Sequence, residues 1–236
     1  TMPTPFIRFV LLPFPQRVWQ SRARICNSRW VTIHLMSATK FIEEFIGGLA
    51  RDDFYNGQSF PQYFERDPNT RGGDEANIVD DKISSLLLTA LGFSVSERDY
   101  NPVKGQRRPD FVAKLPKSIY PRPCFVIEDK NTTIDNLERE AFAQLEGYMR
   151  SHGAPLGLLC NGKQILAYEL RDPIPALIAN FDILELVSRW RGEGNLYSNK
   201  YTGINGLDEQ DQAALWAFYN RFSRESHAGL GTLVKE

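Results

Sequence analysis

The sequence predicts an α/β fold, a mixed β-sheet flanked by helices, with an extra helical segment at the C-terminus. Three observations lead there. Some stretches repeat apolar residues at spacings of three and four, shorter ones alternate or run apolar between turn residues, and the two kinds are interleaved. The order read is helix, strand, strand, strand, helix, strand, strand, which suits a domain of roughly 120 to 150 residues.

Phe41, Ile42, Phe45, Ile46 and Leu49 recur at helical spacing and open the ordered region. A loop rich in Asn, Gln, Pro and Gly is expected up to about Gly73. A helix from Asp74 or Glu75 to Leu91 carries Ile78, Val79, Ile83, Leu86, Leu87 and Ala90 on one face, with Asp74 as N-cap and Gly92 as its stop. Phe93 to Arg98, Pro109 to Leu115 and Cys124 to Lys130 read as strands, the last two separated by a Pro-rich turn. Ile134 to Ser151 is a helix whose stripe holds Leu137, Ala141, Gln144 and Tyr148. Pro155 to Cys160 and Lys163 to Leu170 form a hairpin about Asn161-Gly162, the pair favoured in a type I′ turn. Helices over Phe181 to Trp190 and about Asp208 to Phe222, joined by a polar Gly/Asn-rich linker, end the chain.

Composition sets bounds on function. The 236 residues are 42% hydrophobic and 24% charged, enough for one substantial core with appendages. Five of the 28 basic residues (Arg8, Arg17, Arg22, Arg24, Arg29) and none of the 29 acids lie in the first 35 residues, so the remainder is net acidic. Binding of nucleic acid by bulk electrostatics is therefore not expected, and any DNA contact must be local or assisted. Residues 1–40 are expected to be a poorly structured basic extension, 41–190 the main domain, and 191–236 a linker and C-terminal helix. Ordinary composition begins near Met36, which makes that residue a candidate start. Cys26, Cys124 and Cys160 are odd in number and widely spaced, which suggests neither a disulfide framework nor a zinc site and fits a cytoplasmic setting. The most apolar stretch, around Phe9 to Phe14, is broken by prolines, so no membrane partner is expected.

The chemistry concentrates in RRPDFVAKL and CFVIEDKN. Along the strand from Cys124, alternation sends Val126, Glu128 and Lys130 to one side and Phe125, Ile127 and Asp129 to the other. Asp110 opens the preceding strand, and a hairpin would bring it beside Glu128. Two carboxylates within about 4 Å repel by roughly 1 to 4 kcal/mol unless a proton or a cation lies between them. A hard divalent ion satisfies such an all-oxygen set, and Mg²⁺ also binds substrate phosphate. Lys130 would orient a water or stabilise charge that develops on a phosphorane. An ExK tripeptide alone arises by chance about once in a chain of this length, and its plainer meaning is a solvated strand end with a surface salt bridge.

Pro109-Asp110 followed, after a spacer, by Glu128-Asp129-Lys130 resembles the PD-(D/E)xK nuclease superfamily. Gln144 to Tyr148 matches its QxxxY helix, GLLCNGKQILAYE its following strand pair, and Glu75 a glutamate at the start of its first core helix. Within it, residues 74 to 170 look most like the N-terminal nuclease domain of type I restriction-enzyme R subunits and related restriction proteins. The resemblance implies a restriction-endonuclease-like fold and a metal-dependent endodeoxyribonuclease. Its metal ligands would be Asp110, Glu128 and the backbone carbonyl of Asp129, with Lys130 as catalytic lysine and Gln144 and Glu75 in support. The cofactor would be Mg²⁺, with Mn²⁺ able to substitute. DNA would be the substrate, and the partners would be further domains or subunits (motor, methyltransferase, specificity) or a second copy on DNA. The alternative is a catalytically silent module of the same fold that binds nucleic acid or a partner protein. Plainer roles exist for two of these residues: a backbone-satisfied buried amide for Gln144 and helix capping for Glu75.

Other signals point elsewhere or nowhere. Gly157 to Lys163 fits a phosphate-loop skeleton, but Gln164 replaces the required hydroxyl residue and the segment joins strand to strand. His34, His152 and His227 lack metal-ligand spacing.

Overall fold

Six strands form one mixed sheet in the spatial order of the chain: β1 (Arg98–Tyr100), β2 (Phe111–Ala113), β3 (Phe125–Asp129), β4 (Leu156–Cys160), β5 (Gln164–Glu169) and β6 (Ala176–Asp182). All neighbours are antiparallel except β3 and β4, which run parallel. A parallel pair needs a long crossover, and α4 (Leu137–His152) supplies it. The other helices are α1 (Ser28–Leu49), α2 (Phe60–Phe64), α3 (Ser85–Ala90), α5 (Ile183–Arg191), α6 (Glu209–Phe222) and α7 (Arg224–Leu233). These are read from a computed structural model that describes residues 28–65, 75–100, 108–192 and 202–233. The chain divides into two compact units, Thr1–Ser37 and Ala38–Glu236, and the sheet belongs to the second.

The sheet separates two apolar cores. On one side Phe111, Phe125, Ile127, Leu158 and Ile165 meet residues of α1, α3, α5 and α6. On the other, Val112, Val126, Leu159, Leu166 and Tyr168 meet Leu137, Ala141, Leu145 and Met149 of α4. Both faces of β3 and β4 are thus covered, which is why every residue of these strands is buried and neither strand alternates between apolar and polar. Gly157 lets α4 lie close to the sheet, since a Cβ there would stand 2.6 Å from Met149 Sδ.

Several elements differ from the sequence expectation. Residues 28–40, expected to belong to a poorly structured extension, are helical, because α1 begins at Ser28. Residues 1–27 lie outside the described residues. The loop before Gly73 contains the aromatic helix α2, N-capped at Ser59 with Gln62 completing a capping box. The next helix starts at Glu75 as expected but winds as a π-helix over Glu75–Ser84 before becoming α3. Asp74, its expected cap, lies outside the described residues. Gly92, at φ +88°, ends it as expected, its N–H bonding Thr89 O while Phe93 N–H bonds Leu88 O. Phe93 to Arg98 is not a strand, because Ser94 and Glu97 close a capping box around a 3₁₀ turn and β1 starts only at Arg98. The β4–β5 turn centres on Gly162-Lys163, one residue later than expected. Gly162 is at φ +84° while Asn161 is not left-handed, as in a type II′ turn, and Asn161 Oδ1 accepts from the Lys163 and Gln164 amides. Neither β6 nor α7 was expected. Phe181 belongs to β6, so the helix there is α5 and starts at Ile183, with Asp182 accepting from Glu185 N–H as its cap.

Candidate active site at the end of β2 and β3

Asp110 stands one residue before β2. The register pairs Phe111 with Ile127 and Val112 with Val126, so one further step sets Asp110 opposite Glu128. Both share the parity of Val112 and Val126, whose side chains belong to the α4 side of the sheet. The hairpin expected from sequence therefore forms, and it brings the Asp110 and Glu128 positions together. A hydrogen bond fixes the junction, as the Asp129 N–H donates to Asp110 Oδ2 at 2.7 Å.

Lys130 forms an ion pair with Glu128 Oε1. The side chains are 17% and 4% exposed, so Glu128 is buried and Lys130 half-buried, and a solvated strand end does not describe them. Taking a carboxylate and an ammonium out of water costs several kcal/mol per ion, roughly, before their attraction is counted. Such a cost is tolerated where the charges are used or firmly paired.

Asp129 projects to the opposite side and is fully buried. Ser84 Oγ donates to its Oδ1 at 2.7 Å. Burial, reinforced by the neighbouring carboxyls of Asp80 and Asp110, pushes the Asp129 carboxyl well above the usual carboxylate range. Asp80 is itself buried and accepts from Tyr100 Oη at 3.2 Å. Burial, then the charge of Asp80, raises the Tyr100 phenol to about 12. Cys160, paired with Asp129 across the parallel strands, is also driven upward by burial and by Asp129.

Asp80, Ser84 and Tyr100 were missed in the sequence. Asp80 adjoins the apolar stripe of the first core helix, and a charged residue there was the available signal. What could not be read was the π winding, which changes the faces presented by residues four and five apart and turns Asp80 and Ser84 towards β3. Glu75 opens this helix, and its side chain lies outside the described ones. Gln144 is exposed on α4, against the buried stripe position expected for it, and its Nε2 donates to Tyr148 Oη at 2.9 Å. The two QxxxY residues thus bond each other, one turn apart, and the structure does not join them to Asp110, Glu128 or Lys130.

The donor chemistry fits a hard cation. Carboxylates and a backbone carbonyl at the Asp110/Glu128 junction are all oxygen ligands, and Mg²⁺ commonly takes only one or two carboxylates and keeps its waters. Among the described residues, no group of three or more His, Cys, Asp or Glu side chains is arranged to hold a metal ion. A site here would consist of two carboxylates plus backbone, water and phosphate oxygens. None of the helices among the described residues is long and apolar enough to cross a membrane. No family model matches the chain, and neither the curated proteins nor the solved structures contain a significant match to it.

Proposed function

We propose that the chain is a Mg²⁺-dependent endonuclease that hydrolyses DNA phosphodiester bonds, of the PD-(D/E)xK kind, acting in a restriction or related defence system. One observation carries this: Asp110 is set opposite Glu128, with the half-buried Lys130 paired to Glu128, at the shared end of β2 and β3. Two acids and a lysine converge on one end of a covered sheet, where a pure packing role would be served better by apolar residues.

Asp110 and Glu128 would hold the ion, with the Asp129 carbonyl as a further oxygen. The bound ion would supply Lewis acidity towards a scissile phosphate and lower the pKa of a water. Asp110 is held for this by the Asp129 N–H, which donates to its Oδ2. Lys130 would donate to the attacking water or to the phosphate oxygen that gains charge. Burial strengthens both interactions, since the local dielectric is lower than that of water.

A second reading is favoured by the Glu128–Lys130 ion pair itself, in which the lysine holds a carboxylate oxygen that a metal would use. A catalytically silent module of the same fold, binding nucleic acid or a partner protein, would keep that pair closed. Cleavage of supercoiled plasmid in Mg²⁺, Mn²⁺ or EDTA separates the two. Metal-dependent nicking by the wild type, abolished by Asp110→Ala and Lys130→Ala, is the expected result. Equal inactivity of all three, with unchanged DNA binding, would favour the silent module.

A further inference from the structure

The hydroxyl of Ser84 is directed away from its own helix. Ser84 closes the π-helical stretch Glu75–Ser84, a winding that recurs at functional sites, and it is fully buried. A serine inside a helix commonly turns its hydroxyl back to the carbonyl four residues earlier. Ser84 instead reaches the sheet and donates to Asp129 Oδ1 at 2.7 Å. Asp129 is fully buried as well, so water cannot replace either partner. By its N–H the same Asp129 donates to Asp110 Oδ2, also at 2.7 Å. Asp129 therefore links Ser84, on one side of the sheet, to Asp110, which shares the parity of Glu128 on the other. The link runs through the backbone and two hydrogen bonds.

The sheet register shows where that link acts. β2 and β3 are paired only as far as Phe111 and Ile127, so Asp110, Glu128 and Asp129 lie beyond the last paired residues. On the other edge Asp129 is in register with Cys160 of β4, and Lys130 N–H donates to Cys160 O at 2.7 Å. β4 thus fixes one edge of the strand end, and the anchor on the Asp129 side chain limits its tilt about that edge. We infer that Ser84 is a positioning residue for the proposed metal site: by holding the Asp129 carboxyl it aims the Asp129 N–H at Asp110 and so sets the Asp110 carboxylate. The inference rests on the reading of Asp110 and Glu128 as metal ligands and adds a residue that reaches one of them without touching it. Partners that orient a ligand in this way ordinarily account for about 10- to 100-fold in metal affinity.

The test is the Mn²⁺ affinity of the full chain, read from the loss of the free-ion EPR signal, which does not depend on cleavage. Melting temperatures verify that every variant is folded under the assay conditions. Asp110→Ala is expected to abolish binding, and Ser84→Ala to weaken it about tenfold. In an Asp129→Ala background Ser84→Ala should weaken it no further, because the group through which it acts is gone. In plasmid nicking, Ser84→Ala should need about tenfold more Mg²⁺ for half-maximal cleavage and approach the wild-type rate at saturating Mg²⁺, a split that loss of folded protein alone does not produce. Wild-type Mn²⁺ affinity in the folded Ser84→Ala variant overturns the inference, as do effects of Ser84→Ala and Asp129→Ala that simply add. Absence of Mn²⁺ binding by the wild type overturns it too, whatever the nicking shows. Nicking by the wild type but not by Asp110→Ala decides the nuclease reading separately, so that reading can stand where the role of Ser84 falls.

Discussion

At the residue scale, Glu128 and Lys130 carry the most consequence per atom. Both are largely out of water and each is the other's counter-ion. Lys130→Met should leave Glu128 charged in a low-dielectric site and cost about 3 kcal/mol in urea denaturation. Glu128→Gln combined with Lys130→Met should cost clearly less than the sum of the single changes, because the double variant buries no ion. Additive costs would mean that the two side chains do not act as a pair. Glu128 and Lys130 were legible from the sequence because strand alternation alone puts them on one face. Their burial was not, since it depends on α4 covering that face of β3.

At the element scale, the crossover through α4 sets the spacing of the site's roof above the sheet. The helix is anchored at its start by Asn136, whose Oδ1 accepts from Arg139 N–H, and at its end by Gly153 at φ +64°. Between them it approaches β4 closely at Gly157, where a Cβ would meet Met149 Sδ at 2.6 Å and Leu145 Cδ1 at 3.1 Å. Gly157→Val should therefore force α4 off the sheet, lower stability by about 2 kcal/mol and reduce nicking with it. A variant with wild-type melting behaviour would show that Met149 can yield at no cost. The glycine reads in the sequence as part of a false phosphate loop. Only the packed helix explains its size.

At the scale of the whole molecule, the C-terminal helices are part of the core and not an appendage. Phe222 of α6 is fully buried against Phe125 of β3, with ring centroids 5.2 Å apart. Arg224 of α7 binds the buried Glu97, holding that carboxyl down at about 2. His227 of α7 lies 2% exposed beside Tyr120 and Phe125. Burial, with a smaller contribution from Arg122, lowers its pKa to about 4. The unfolded chain therefore binds a proton near pH 6.5 that the native state refuses until about pH 4, and stability falls as pH drops through that window. The expected loss is about 2 to 3 kcal/mol. Glu97 acts in a separate range, its contribution present above about pH 4.5 and lost towards pH 2. His227→Leu should flatten the stability profile between pH 6.5 and 4 in urea titrations, and an unchanged slope there would show that another group carries it.

Local periodicity and turn chemistry pointed, without any partner, to an α/β protein with a helix between the strands that became β3 and β4 and a β4–β5 hairpin. They also put Glu128 and Lys130 on one face of a strand end, with Asp110 beside Glu128 if the two strands pair, as they do. These features depend on interactions a few residues apart, which a sequence carries in full. Tertiary structure alone decided the rest. β6 was hidden because exposed, half-buried and buried residues follow one another in it without alternation, directly after Pro173 and Pro175, so no period-two pattern survives. The convergence of Asp80, Ser84 and Tyr100 on Asp129, and the burial of His227, come from surfaces that meet only when distant segments pack. Burial and electrostatic environment are properties of that packing, and neither is written in the order of residues along the chain.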